Sequence, residues 1–403
     1  MIKCRTCAEL WGYERESPTP LPHPCCVAHP RARTAAVLEA GQGPLSAFGY
    51  LGDERHGPFV AYARGPAYGR EPVGVRGPAR SQGPAHDRRL LHGTAVDTDR
   101  TLAGTKAVLE LLERGCAFTR PRAPVRYGSP REIGPSCTGT DAPDTPRWWV
   151  EARSLCDGRA WHVAADRYVL ASCGGRGDSS GLAVGHDWAG AAGRSLREGV
   201  ERASVRAMAD GRLPVRPCAA DTPYAAALRR DGWRVEIVAT THLGFPVALC
   251  AATAPTGPTV GGCAAGTGLA HAVASATAEA FMKSLAWTSA GTGGTRARGA
   301  AGVAGATRAA GALGAARPVS VAAAGVHGFR LSEAVVFGDP PEPLTGEPGQ
   351  VLAAAGGDAL LVDRGNPLLD ALGLRATHVL LRRPAAQSPP GPRRDRRLEE
   401  LLR

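Results

Sequence analysis

The sequence predicts an α/β protein with acidic helices, and two observations carry that expectation. Glu-x-x-Glu-Arg occurs twice, in Leu109-Glu110-Leu111-Leu112-Glu113-Arg114 and Arg197-Glu198-Gly199-Val200-Glu201-Arg202, and a third acidic stretch reads Ala278-Glu279-Ala280-Phe281-Met282-Lys283. Ala359-Leu360-Leu361-Val362-Asp363 and Thr377-His378-Val379-Leu380-Leu381 read as buried strands joined by a helix around Leu368 to Leu372.

The elements follow in chain order. Cys4-Arg5-Thr6-Cys7 has the spacing of half a zinc site, and Cys25-Cys26-Val27-Ala28-His29 offers the other half. A structural zinc takes four tetrahedral ligands, so Cys4, Cys7, Cys26 and His29 would serve, or Cys25 in place of His29; free reduced thiols are the alternative. The helix over Glu110, Glu113 and Arg114 projects two carboxylates and a guanidinium from one face, because residues three and four apart are neighbours on a helix. A solvated face with pairs worth about 0.2–0.5 kcal/mol each is the alternative for any one such segment. Before Glu198 comes Asp178-Ser179-Ser180-Gly181-Leu182-Ala183-Val184-Gly185, a glycine-bearing loop that reads as a nucleotide lid. Five glutamates, Glu110, Glu113, Glu198, Glu201 and Glu279, would need divalent cations if they converged in one cleft. From Thr288 to Gly325 the chain is mostly Ala, Gly, Thr and Arg, which predicts a flexible insertion or weak helix. Asp339-Pro340-Pro341-Glu342-Pro343 reads as an extended linker, and 383–403 is a Pro- and Arg-rich tail.

Together these segments resemble the YcaO family, ATP-dependent enzymes that modify backbone amides, over about residues 90–385. Ala107-Val108-Leu109-Glu110-Leu111-Leu112-Glu113-Arg114 is similar to the family's first acidic helix. Ser179-Ser180-Gly181-Leu182-Ala183-Val184-Gly185 with Glu198, Glu201 and Arg202 resembles its second block. Gly261-Gly262-Cys263-Ala264 leading to Glu279 stands in the place of a later block that begins in a Gly-x-Gly-Ala-type turn, and Thr240-Thr241-His242-Leu243-Gly244-Phe245-Pro246-Val247 resembles the family's strand pair with a Thr-x-x-Leu-Gly-x-Pro-Val turn. The resemblance implies a YcaO-type α/β fold around a nucleotide cleft, with ATP and Mg as cofactors. Glu110, Glu113, Glu198, Glu201 and Glu279 would hold magnesium, Arg114 and Arg202 would contact phosphate or fix carboxylates, and Ser179 belongs to the nucleotide-binding set. No catalytic residue is assigned beyond this site. The implied reaction is cyclodehydration of Cys, Ser or Thr in a ribosomally made precursor peptide; thioamide or amidine formation, or a non-catalytic scaffold that binds a leader peptide or a catalytic partner, are the alternatives.

The chain departs from that pattern at several positions. Lys3, Lys106 and Lys283 are its only lysines, and two of them fall in the acidic helices. Lys106 stands four residues before Glu110 and Lys283 four after Glu279, each at pairing distance along a helix. They would contact triphosphate or replace one metal charge; the alternative is a damaged site whose carboxylates are occupied by internal salt bridges. Ser180 replaces the family's Asn, Ala203 stands where azoline-forming relatives carry Asp, Met282 occupies about the place of a Gln, and the charged end of the tail differs from the proline-rich terminus of those relatives.

Composition sets the remaining expectations. At 403 residues and 43% hydrophobic content there is room for a large domain over 81–403 and a small Cys-containing region over 1–80, which resembles a relic of a leader-binding partner domain. The formal charge of +11 comes almost wholly from arginine and suits nucleotide or an acidic leader. The basic stretches lack interleaved aromatics, so no nucleic acid is expected. Eleven cysteines without a signal peptide point to a reducing, cytoplasmic location, and the Arg176-Gly177-Asp178 tripeptide is read as chance. No apolar run reaches about 18 residues, so no membrane span is expected. The expected partners are the precursor peptide, a leader-binding protein and a second copy in a homodimer.

Overall fold

The structure is a computed structural model. It describes residues 47–51, 58–66, 90–117, 121–138, 144–165, 180–291 except 256, and 346–382 except 367, 368 and 371. The zinc candidates Cys4, Cys7, Cys25, Cys26 and His29 lie outside the described residues, as do Ser179, the Pro-rich break at 339–343 and the tail from 383.

The first described elements are a three-stranded antiparallel meander, β1 (Ala47–Leu51), β2 (Phe59–Pro66) and β3 (Leu90–Asp97). β2 and β3 pair along their full lengths, so the expected division near residue 80 falls between strands of one sheet. Helix α1 (Arg100–Ala117) follows at once. The Asp99 carboxylate accepts the backbone N–H groups of Thr101 and Leu102 at 2.7 and 3.1 Å, satisfying amides that the first turn leaves free. Buried Ala103, Ala107, Val108, Leu111 and Leu112 recur at helical spacing and seat α1 on the meander.

Next come β4 (Val125–Gly128), the one-turn α2 (Pro130–Ile133) with a Ser129/Glu132 capping box, β5 (Cys137–Thr138), β6 (Arg147–Ser154), β7 (Ala160–Ala164) and β8 (Leu182–Gly185). Leu182–Gly185, expected within a lid, is instead a buried strand. Its apolar run packs into the core beside α1, leaving only the preceding turn as loop. Helix α3 (Trp188–Ala209) starts from Asp187, whose carboxylate accepts the Gly190 N–H, and buries Leu196, Val200 and Met208.

Beyond it lie β9 (Arg216–Pro217), α4 (Pro223–Arg230), β10 (Arg234–His242), β11 (Phe245–Thr253) and β12 (Thr259–Ala265). β10 and β11 form the expected hairpin, closed by Leu243 and Gly244 at φ 51° and 80°, the double left-handed geometry of a type I′ turn. Gly261-Gly262-Cys263-Ala264 is not a turn but the centre of β12. Glycine is wanted there because α5 (Leu269–Gly291) crosses so closely that a Cβ on Gly262 would sit 2.1 Å from the Ala276 carbonyl oxygen. Helix α5 also runs through Thr288 to Gly291, the start of the expected insertion; its remainder lies outside the described residues.

The last described elements are α6 (Pro348–Ala354), β13 (Asp358–Asp363) and β14 (Arg375–Arg382). The last two strands are those expected, and they pair antiparallel. Between them, Asn366 caps a short turn at Leu369 and Asp370. Among the described residues there are three sheets: the meander, a four-stranded sheet in the order β12-β11-β10-β9, and a seven-stranded sheet in the order β5-β7-β6-β13-β14-β8 with β4 beside β6. Helices α1, α3 and α5 fill the junction between them. A buried Ser195 hydroxyl bonds the Thr377 carbonyl at 2.8 Å and fastens α3 to β14.

Candidate acidic cation site

Each helix brings its own charges to this junction. α1 carries Glu110 and Glu113, α3 carries Glu198 and Glu201, and α5 carries Glu279. The five form a closed electrostatic circuit: Glu110 acts on Glu113, Glu113 on Glu198, Glu198 on Glu201, Glu201 on Glu279, and Glu279 on Glu110. The structure therefore brings together the five carboxylates that the sequence scattered over 170 positions.

Two of them are anchored alike. Glu110 Oε2 accepts the Thr94 backbone N–H at 2.9 Å and Oε1 the Arg114 guanidinium at 2.6 Å. Glu279 Oε2 accepts the Cys263 backbone N–H at 2.9 Å and Oε1 pairs with Lys283 Nζ at 3.1 Å. Lys106 differs from expectation: it bonds Asp97 Oδ2 at 2.5 Å rather than Glu110, whose oxygens are already engaged. Arg202 Nε lies 3.8 Å from Glu201 Oε1, too far for a hydrogen bond, and this buried N–H has no hydrogen-bond partner. Arg194, which donates to the Val184 carbonyl at 2.9 Å, and Arg197 add positive charge on the α3 face. Both carry a signal in the sequence outside the expected site set, Arg194 four residues before Glu198 and Arg197 four before Glu201.

The electrostatics reflect this crowding. Burial and the Glu198 carboxylate push Glu113 well above the usual range, partly countered by Arg194. Burial and Glu279 do the same to Glu201, countered by Arg202 and Lys283. Glu110 is raised by burial, with Arg114 and the Thr94 amide opposing. Burial would lower Arg202, but Glu201, Glu198 and Glu279 hold its guanidinium above the ordinary value. The Cys263 thiol is pushed far up by burial and by Glu201 and Glu279. Such carboxylates repel one another until cations arrive.

Among the described residues, no group of three or more His, Cys, Asp or Glu side chains is placed to hold a metal ion by itself. Magnesium retains water and completes its shell with one or two carboxylates and phosphate oxygens. Neighbouring carboxylates that raise one another, beside a buried Arg202 Nε–H that makes no hydrogen bond, fit magnesium bound with a phosphate.

A mixed α/β scaffold with an acidic, cation-demanding junction of three helices is the class that this fold and site define. A family model described as YcaO cyclodehydratase, ATP- and Mg2+-binding, matches residues 97–381. The chain belongs to the YcaO family. No curated protein matches the sequence. Solved structures that share the fold include YcaO from Methanopyrus kandleri bound with AMPPCP and Mg2+, at TM-score 0.59 and 19% identity over 87% of this chain and 90% of that one. A heterocyclase in complex with substrate and cofactor matches at TM-score 0.61 and 14% identity over 87% of this chain. This chain spans about half of that heterocyclase, 52%. The E. coli microcin synthetase McbBCD complex matches at TM-score 0.53 and 12% identity, over 83% of this chain and 86% of that one. No helix among the described residues is long and apolar enough to cross a membrane.

Proposed function

We propose that the chain activates backbone amides of a ribosomally made precursor peptide at the expense of ATP, converting Cys, Ser or Thr residues to thiazoline or oxazoline rings. The observation that carries this reading is the five-glutamate circuit on α1, α3 and α5 within a YcaO-family chain. Bound magnesium and ATP supply the phosphoryl group that turns an amide oxygen into a leaving group. Glu113, Glu198 and Glu201 would share magnesium, one or two carboxylates to an ion, with Glu110 and Glu279 closing the circuit from positions set by the backbone amides of Thr94 and Cys263. Arg202 would offer its unpartnered Nε–H to a phosphate oxygen, and Arg194 would balance Glu113. Ser179 joins the proposed nucleotide set from the sequence alone, and a structural zinc on the amino-terminal cysteines stays a separate proposal.

A leader-binding partner protein accords with the multi-protein microcin synthetase among the structural neighbours. One observation favours a second reading, a non-catalytic scaffold: Arg114 and Lys283 already occupy one oxygen each of Glu110 and Glu279. The test is incubation of the purified chain with candidate precursor peptides, ATP and magnesium, read by mass spectrometry. Loss of one water per ring with matching phosphate release supports cyclodehydration. Peptide binding without nucleotide turnover supports the scaffold.

A further inference from the structure

The acidic site is built on two copies of one structural unit. β1-β2-β3-α1 and β10-β11-β12-α5 are each an antiparallel meander followed by a helix lying on its last strand. The correspondence extends to single atoms. A Cβ on Gly93 would meet the Ala107 carbonyl oxygen at 2.0 Å and the Leu111 nitrogen at 2.6 Å; on Gly262 it would meet the Ala276 oxygen at 2.1 Å and the Ala280 nitrogen at 2.8 Å. The residue after each glycine donates its N–H to the helix glutamate at 2.9 Å, Thr94 to Glu110 and Cys263 to Glu279. In both units a cation four residues on takes the other oxygen. Each residue of the second set lies 169 positions after its counterpart, as Glu279 does after Glu110.

The units differ where it matters for charge. The counterpart of Glu113 is Met282, so the second unit supplies one carboxylate where the first supplies two. Its cation is also the more enclosed: the Lys283 side chain is 17% exposed against 50% for Arg114. Lys283 acts on Glu201 and Cys263 as well as Glu279, so its ammonium serves the far side of the circuit. An ammonium is a compact point charge, suited to a place among carboxylates where a hydrated cation would otherwise sit.

We propose that Lys283 is a resident cation, a positioning residue that holds Glu279 beside Glu201 and takes the place of one magnesium, so that nucleotide binds with one fewer metal ion than the same circuit without the lysine would require. This rests on the nucleotide-site reading above for its second arm only. In the first arm, thermal unfolding without nucleotide is followed as magnesium is added to the full chain, Lys283→Gln, Lys283→Arg and the double variant Glu279→Gln/Lys283→Gln. Lys283→Gln should unfold earlier without magnesium and recover more with it than the full chain does. Lys283→Arg should behave as the full chain, and the double variant, whose carboxylate and ammonium are both gone, should lose the extra magnesium response. In the second arm, the slope of log Kd for AMPPCP against log free magnesium should be steeper by about one in Lys283→Gln, since the slope counts ions taken up on binding. Equal magnesium responses in Lys283→Gln and the full chain would overturn the proposal, as would an undiminished extra response in the double variant. Failure of every protein to bind AMPPCP at any magnesium concentration would overturn the nucleotide-site reading instead, leaving the unfolding arm to decide the role of Lys283.

Discussion

Gly262→Ala should cost about 3 kcal/mol of stability and weaken the site at the same stroke. The added Cβ would lie 2.1 Å from the Ala276 carbonyl oxygen and 2.8 Å from the Ala280 nitrogen, both rigid helix backbone. Ordinary contact begins near 3.4 Å, so α5 must withdraw by roughly 1.3 Å. That motion stretches the 2.9 Å bond from the Cys263 N–H to Glu279 beyond hydrogen-bonding range. Overpacking of this kind costs about 1–3 kcal/mol, and a hydrogen bond to a charged acceptor contributes about 1.5–3 kcal/mol, though the two losses overlap. Urea unfolding reads the change directly, and the melting temperature should fall by roughly 4 °C. Gly199→Ala is the control: it lies in the interior of α3, its Cβ would meet Leu381 at an ordinary 3.5 Å, and it should gain up to about 1 kcal/mol from helix propensity. A loss below about 1 kcal/mol for Gly262→Ala would refute the close-approach argument, and with it the claim that this glycine sets the position of Glu279.

Three further outcomes follow from the same geometry. Glu201→Gln should stabilise the metal-free protein at neutral pH, measured by thermal unfolding, because a carboxyl pushed above its ordinary 4.5 binds its proton more tightly folded than unfolded, so its contribution is lost as pH rises through the folded value. His242 acts in the opposite sense: burial and Arg212 depress it from 6.5 to about 4, so stability present above 6.5 is lost as pH falls toward 4, and His242→Gln, which can still bond the Ser204 hydroxyl, should flatten that acid limb of a denaturation series. Trp149→Ala should lose about 3–5 kcal/mol in urea unfolding, since the side chain is fully buried and its indole N–H donates to the Gly128 carbonyl at 2.9 Å.

The parts of the fold legible in the sequence were those carried by local periodicity. The Glu-x-x-Glu-Arg segments announced α1 and α3, and the apolar runs around Leu360 and Val379 announced β13 and β14, while the hairpin at Thr240–Val247 was legible through the family resemblance. Strands assembled from small residues were harder to see. Gly261-Gly262 resembles a turn when read locally, because the helix that requires bare glycine arrives only fourteen residues later at Ala276. Likewise the meander of β1 and β2 with β3 rests on pairing across residues 67–89, which no local signal encodes. Lys106 was placed beside Glu110 by helical spacing, yet Asp97 at the end of β3 is nearer, a tertiary contact that spacing along one helix cannot reveal. Arg194 and Arg197 carried a usable signal, arginine four residues ahead of each glutamate on α3, that went unread.

The proposed function requires that five glutamates from three helices make one magnesium-dependent nucleotide site. Calorimetric titration of the full chain and of Glu201→Ala with AMPPCP, with and without magnesium, tests this most directly. Saturable binding that requires magnesium and is lost in Glu201→Ala is the expected result. Equal affinity in the two proteins, or binding indifferent to magnesium, would contradict it.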